Sequence, residues 1–223
     1  MTGFLRPILL IAWKDILLEV RTKEIITSIL IFALLVVIIF NFAFDPSPAL
    51  VALVVPGILW VAITFAGVLG FNRSFILEKD RGSLDGLLLC PVSRDVIYLG
   101  KLVGTVFFMI VVEALLLPVF AVLYNVSLFL PGLLLIAFLA TLGFAIVGTL
   151  FSAMAVNTRS REIMLPLLLL PISVPVLIAA VEATRALLDP SASMPSTWWQ
   201  LLLAFDVIFL VISSFLFGTV LEE

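Results

Sequence analysis

Six apolar runs, each long enough to cross a bilayer, dominate the sequence: Ile25–Phe44, Leu50–Phe71, Leu102–Tyr124, Leu130–Val156, Ile163–Arg185 and Trp198–Val220. A helix rises about 1.5 Å per residue, so about 20 apolar residues cover a hydrocarbon layer of roughly 30 Å. Charged residues make up only 12% of the 223, against roughly a quarter in soluble domains. So few charges cannot build a water-facing surface. In hydrocarbon each backbone N–H and C=O must find its partner within the segment, which makes the runs helices. The expected fold is an all-α membrane protein with six transmembrane helices in a single domain, residues 1–223.

The connections alternate in charge. Arg6, Lys14, Arg21 and Lys23 precede the first run; Arg73, Lys79, Arg81, Arg94 and Lys101 lie between the second and third; Arg159 and Arg161 lie between the fourth and fifth. Of the 12 Lys and Arg, only Arg185 falls on the other side. Positive residues mark the cytoplasmic face, so both termini are expected there. The chain has no histidine and one cysteine, Cys90. The usual zinc ligand, general base and haem ligand are therefore missing, an internal disulfide is excluded, and no metal site is expected. No basic block suggests nucleic acid, and the partner of the surface is the lipid bilayer.

Residues 1–24 read as an amphipathic helix lying in the cytoplasmic interface. Trp13, Ile16, Leu17 and Val20 follow the i, i+3, i+4, i+7 pattern, with Lys14, Asp15 and Arg21 expected on the other side. The simpler alternative is a first span that starts early. "PILLIAW" after Arg6 resembles a signal peptide briefly, but "KDILLEVRTKE" follows without a small-residue cleavage site, so the segment reads as retained.

The second connection, residues 74–98, is turn-rich and too polar to span. "ILEKDRG" is helix-like and stops at Gly82; "SLDGLLLCP" places Leu84, Leu87 and Leu88 on one helical face, with Ser83 as N-cap and Pro91 as terminator; Ser93 is a second N-cap candidate. Leucines ringed by Glu78, Arg81, Asp85 and Arg94 would make a docking surface, an apolar centre with a charged rim. On spacing alone, leucines folded back onto the bilayer serve equally well.

The run "LEKDRGSLDGLLLCPVSRDVIYLGK" resembles the signature of ABC-2-type transporter permeases: an acidic residue, a basic residue and Gly, then an "LD-x-LL-x-x-PV" core, then "GK" entering the next span. Glu78, Arg81, Gly82, Leu84, Asp85, Leu87, Leu88, Pro91, Val92, Arg94 and Lys101 match it. The resemblance implies that this segment is a coupling helix seated on a cytoplasmic ATPase. "LPLLLLPISVPVLIAA" from Leu165 and "AWKDILLEVRTKE" resemble the haem exporter protein B (CcmB) family more narrowly. That resemblance implies a multi-pass permease domain in the bacterial inner membrane. It also implies a second copy of the chain, an ABC ATPase subunit (CcmA-like) that binds ATP, and further cytochrome c maturation membrane proteins (CcmC- and CcmD-like). Haem would be the substrate of the complex, with no cofactor held by this chain. The chain is not expected to be an enzyme. A P-loop needs G-x-x-x-x-G-K-[ST], and around Gly100-Lys101 the first Gly is Asp95 and the last position Leu102.

Glu113 falls roughly 16 Å into the third run and Asp206 roughly 12 Å into the sixth. A charge at such depth costs about 2.5–3.5 kcal/mol or more, so both should face the bundle interior. They line a polar path or partner contact, or they make structural hydrogen bonds between helices. Pro166, Pro171 and Pro175 should kink the fifth run, as hinge or as fixed shape, and place it inside the bundle. Gly148 and Ser152 form a small-xxx-small pair for close packing. Glu182 and Arg185 have the spacing of a surface ion pair. Two other readings stay open: an ABC-2 permease for a lipid, drug or glycan, and a proton-coupled secondary transporter using the two carboxylates.

Overall fold

The computed structural model describes residues 2–22, 24–44, 48–80, 82–126, 130–156, 158, 161–188 and 196–220. These residues form eight helices and no strand: α1 (Thr2–Thr22), α2 (Glu24–Ala43), α3 (Pro48–Asp80), α4 (Ser83–Leu88), α5 (Arg94–Tyr124), α6 (Pro131–Val156), α7 (Arg161–Leu188) and α8 (Ser196–Val220). Six of them, α2, α3 and α5 to α8, are long and apolar enough to cross a membrane. They contain the six runs of the sequence to within a few residues, except that α3 runs on past Phe71 to Asp80 and α5 begins at Arg94, two turns before the apolar stretch.

The centre of the bundle is α6, which is 78% buried and packs on α3, α5, α7 and α8. Its sequence explains this. Ala137, Ala140, Gly143, Ala145, Gly148, Ser152, Ala153 and Ala155 keep its surface low, so neighbours approach closely. Between lipid-bathed helices, where no hydrophobic drive separates lipid from protein, such packing is a main source of cohesion. Gly148 receives the ring of Phe71, and the Ser152 hydroxyl turns back to the Gly148 carbonyl at 2.7 Å.

The proline-rich helix α7 is placed differently from the expectation. It packs on α6 and α3 but is only 33% buried, with Leu167, Val174 and Ile178 exposed. The reason is on its own face: Leu165, Leu169, Val176, Ala179, Ala180 and Ala183 form a single buried stripe. The Trp60 indole N–H donates to Thr184 Oγ1 at 3.0 Å and fastens α3 to α7. Helix α7 runs unbroken through Pro166, Pro171 and Pro175. At its far end Arg185 and Glu182 pair at 3.9 Å. Helix α5 stops at Asn125, whose left-handed backbone (φ 50°) turns the next N–H, that of Val126, back to the Ala121 carbonyl at 3.2 Å.

Helix α1 is separate from α2, and the Glu19 carboxylate accepts the Ile26 backbone N–H at 2.9 Å near the start of α2. Its buried stripe is Ile8, Ile11 and Ala12, on the face opposite the Trp13 stripe, whose Trp13 and Val20 are exposed on the outside of the bundle. The buried face lies against Gly100 and Gly104 of α5.

Candidate functional site: a charged junction flanking the short helix α4

Helix α3 carries Glu78 in its last turn and ends in a turn at Gly82. The Gly82 N–H bonds the Lys79 carbonyl, and its φ of 67° is a conformation in which a Cβ is strained. The expected N-cap, Ser83, instead starts α4 and donates its hydroxyl to the Glu78 carbonyl at 3.2 Å. After α4 the chain turns through Cys90 and Pro91 to Ser93, which is the N-cap of α5 by backbone position without a side-chain cap bond.

Two turns into α5, Lys101 closes the segment. Its ammonium pairs with Glu78, and lies 3.1 Å from Asp15 Oδ2. Lys14 of α1 pairs with Glu78 as well and lies 3.1 Å from Asp15 Oδ1. Two acids and two bases thus form one closed, charge-balanced ring joining α1, α3 and α5. The Lys101 and Glu78 side chains are only 1% and 4% exposed. Burial works against ionising Glu78, but Lys101 and Lys14 outweigh it and hold its carboxyl below the ordinary value. For Asp15 burial prevails over Lys101, and its value is raised. Burial opposes the charge of Lys14, and Asp15 and Glu78 together overcome it and raise its value.

The ring needs α1 to lie almost on the backbone of α5, and the pair Gly100/Gly104 permits this. A Cβ at Gly100 would stand 2.7 Å from Ile11 Cβ and 3.2 Å from the Ile8 carbonyl; one at Gly104 would stand 3.3 Å from Asp15 Cβ. The "GK" of the sequence is therefore two halves of one device. Gly100 admits α1, and Lys101 locks it.

The docking surface read from the sequence is described only in part. Glu78 is turned inward to the ring and is no rim residue. Leu87 and Val92 are half-buried and pack against the bundle core. Leu89 is 86% exposed, and Gly82, Ser83, Gly86, Cys90 and Pro91 are exposed around it. Among the α4 side chains that the structure describes, Leu87 takes the face turned to the bundle. Arg81 lies outside the described residues; Leu84, Asp85 and Leu88 belong to the α4 backbone, and their side chains lie outside the description. Arg94 is half-buried and donates to the Gly218 carbonyl of α8 at 2.6 Å. A groove of about 470 Å³ runs between α1 and the α3–α4 turn, lined by Leu10, Trp13, Leu17, Arg21 and Ser83 among others.

Within the bundle, Glu113 and Asp206 are both 5% exposed. Glu113 accepts a hydrogen bond from Thr141 of α6. Asp206 abuts Gly143 of α6, where a Cβ would stand 2.5 Å from Oδ1, and neither of its oxygens has a hydrogen-bond partner among the described residues. Thr141 and Gly143 are about 200° apart around α6, so the two carboxyls flank the central helix from different sides. Among the described residues, no group of three or more His, Cys, Asp or Glu could hold a metal ion.

Residues 6–223 match the family model described as CcmB protein. The chain is 29% identical over 192 residues to Heme exporter protein B of Pseudomonas aeruginosa, covering 86% of each chain. It is 32% identical over 179 residues to Heme exporter protein B of Rhodobacter capsulatus, covering 77% of this chain and 79% of the relative. With the Bradyrhizobium diazoefficiens Heme exporter protein B it shares 27% identity over 203 residues, 91% of each. With the family model matched over nearly its whole length, this chain of six apolar helices and one charged junction belongs to the CcmB family.

Proposed function

We propose that this chain is the multi-pass membrane permease subunit of a haem export system that serves cytochrome c maturation in the bacterial inner membrane. A separate, CcmA-like ATPase supplies the energy, a second copy of the chain completes the membrane part, and CcmC- and CcmD-like proteins are its membrane neighbours. Helix α4 is the coupling helix, both termini lie on its cytoplasmic side, and α1 lies in that interface. Haem is the substrate handled by the complex. Lacking histidine, the chain works as a transducer and leaves haem ligation to its partners.

One observation carries this reading: Glu78 and Lys101, on either side of α4, are paired with each other and with α1. A push on α4 would be borne by α1, α3 and α5 together and not dissipated in a loop. The exposed Leu89 at the end of α4, and the groove that Ser83 at its start shares with Leu10, Trp13, Leu17 and Arg21, support a protein occupant.

The test is copurification in mild detergent. The unsubstituted chain should bring down a P-loop ATPase with cytochrome c maturation membrane proteins. Leu89→Glu should weaken ATPase recovery by about 30-fold or more, as loss of an anchor of about 2 kcal/mol requires, while inserting normally. Normal ATPase recovery and cytochrome maturation with Leu89→Glu would refute docking through α4.

A further inference from the structure

Arg94 matches a position of the docking signature, yet its guanidinium points to the other end of the chain. Its Nη1 lies 2.6 Å from the Gly218 carbonyl, across 124 residues of sequence. Gly218 is among the last residues of α8, where carbonyls have no intrahelical partner and the helix dipole is negative. Helix α8 has no basic residue in its last turn, and the sequence that follows is Leu221-Glu222-Glu223. The cation that suits this end comes from α5. One turn on, Tyr98 reinforces the contact. It is fully buried, its ring packs on Phe217 with centroids 5.1 Å apart, and its hydroxyl donates to the Ile146 carbonyl of α6 at 3.2 Å. The first two turns of α5 therefore grip the last turns of α8. Asp206 sits on the same helix, roughly 18 Å away along its axis.

We infer that Arg94 is a positioning residue that makes α8 follow the α4 segment, carrying its displacement to the seam where Asp206 meets α6. It is an anchor to the last helix and not part of the ATPase-docking surface. The inference rests on the coupling reading above.

The experiment uses the complex copurified with its ATPase, in a Cys90→Ser background with a reporter at Ser214→Cys, one turn before Gly218. Maleimide labelling of the reporter is timed with and without ATP plus vanadate. With Arg94 in place the labelling rate should change with nucleotide. Arg94→Ala should lose that change while retaining the ATPase in full. Arg94→Lys, which keeps one charged donor for the same carbonyl, should restore it, which a variant that misfolds would not allow. A change that persists in Arg94→Ala, or a reporter indifferent to nucleotide with Arg94 present, overturns the inference. Loss of the ATPase on Arg94→Ala also overturns it, because Arg94 would then belong to the docking surface. Failure of the unsubstituted chain to bring down any ATPase refutes the coupling reading instead.

Discussion

Lys101→Met is the substitution that loads the charged ring most directly. It removes the one ammonium that is 1% exposed and leaves the buried Glu78 and the half-buried Asp15 facing each other. Deleting one partner of a buried ion pair costs about 3–5 kcal/mol, because the charge left behind is uncompensated. Lys14 still reaches both carboxylates, which favours the lower end of that range. Lys14→Met should behave differently. Lys14 is 45% exposed, and exposed pairs are worth about 0–1 kcal/mol. For a chain of this size 1 kcal/mol moves the thermal midpoint by about 2–4 °C. Lys101→Met should then fall by about 6 °C or more and Lys14→Met by at most about 4 °C, measured as thermal unfolding of the detergent-solubilised protein. Adding Glu78→Gln to Lys101→Met removes the stranded charge, so the double variant should be more stable than the two single losses summed, by about 0.5–3 kcal/mol. The reasoning fails if Lys101→Met melts within about 2 °C of the parent, if Lys14→Met costs as much, or if the two losses simply add.

The ring should also open with acid, and unevenly. Glu78 has a lowered value in the folded protein, so its contribution is present above the ordinary carboxylate pKa of about 4.3 and is lost as pH falls through the lower folded value. Asp15, raised, has the opposite sign: its ionised form is disfavoured in the fold, and protonation relieves it. Glu78→Gln should therefore destabilise more than Asp15→Asn at neutral pH, and the gap should close below about pH 4; equal costs at neutral pH would contradict the assignment. Gly100→Val should push α1 off α5, since even a Cβ there lies 2.7 Å from Ile11, at a cost of about 1–3 kcal/mol; an unchanged thermal midpoint would mean that the α1–α5 seam is loose. Asp206→Ala should leave the midpoint unchanged or higher, because a buried carboxyl without partners costs about 1–3 kcal/mol, while cytochrome c maturation falls. A drop in midpoint beyond about 4 °C would make the residue structural.

The six spans were legible because a bilayer imposes a length and a composition that can be counted along the chain. The α4 segment was legible because its charges and turns interrupt that pattern. What each charge does there was not legible, and Glu78, Asp15 and Arg94 show why. Sequence spacing gives the face of a helix on which a residue lies, but not which of two faces meets a neighbour. On α1 the stripe of Trp13, Ile16, Leu17 and Val20 is visible in the sequence, but nothing in it says that the opposite face, with Ile8, Ile11, Ala12 and Asp15, meets another helix. The deciding information lay about 90 residues away, in Gly100 and Gly104. Their four-residue spacing is visible in "GKLVG" and marks a surface low enough for another helix. Once α1 is set into that groove, Asp15 comes within reach of Lys101, and Glu78 must turn inward to balance the second lysine. Arg94 is the same lesson at longer range, since its acceptor is a backbone carbonyl and no side chain announces it. The signature residues around α4 thus divide by what they touch. Gly82 turns the chain, Gly100 and Lys101 hold α1, Arg94 holds α8, and Leu89 and its exposed neighbours are left facing outward. Glu78, Lys101 and Arg94 are thus turned toward the bundle, while Leu89 stands exposed at the end of α4.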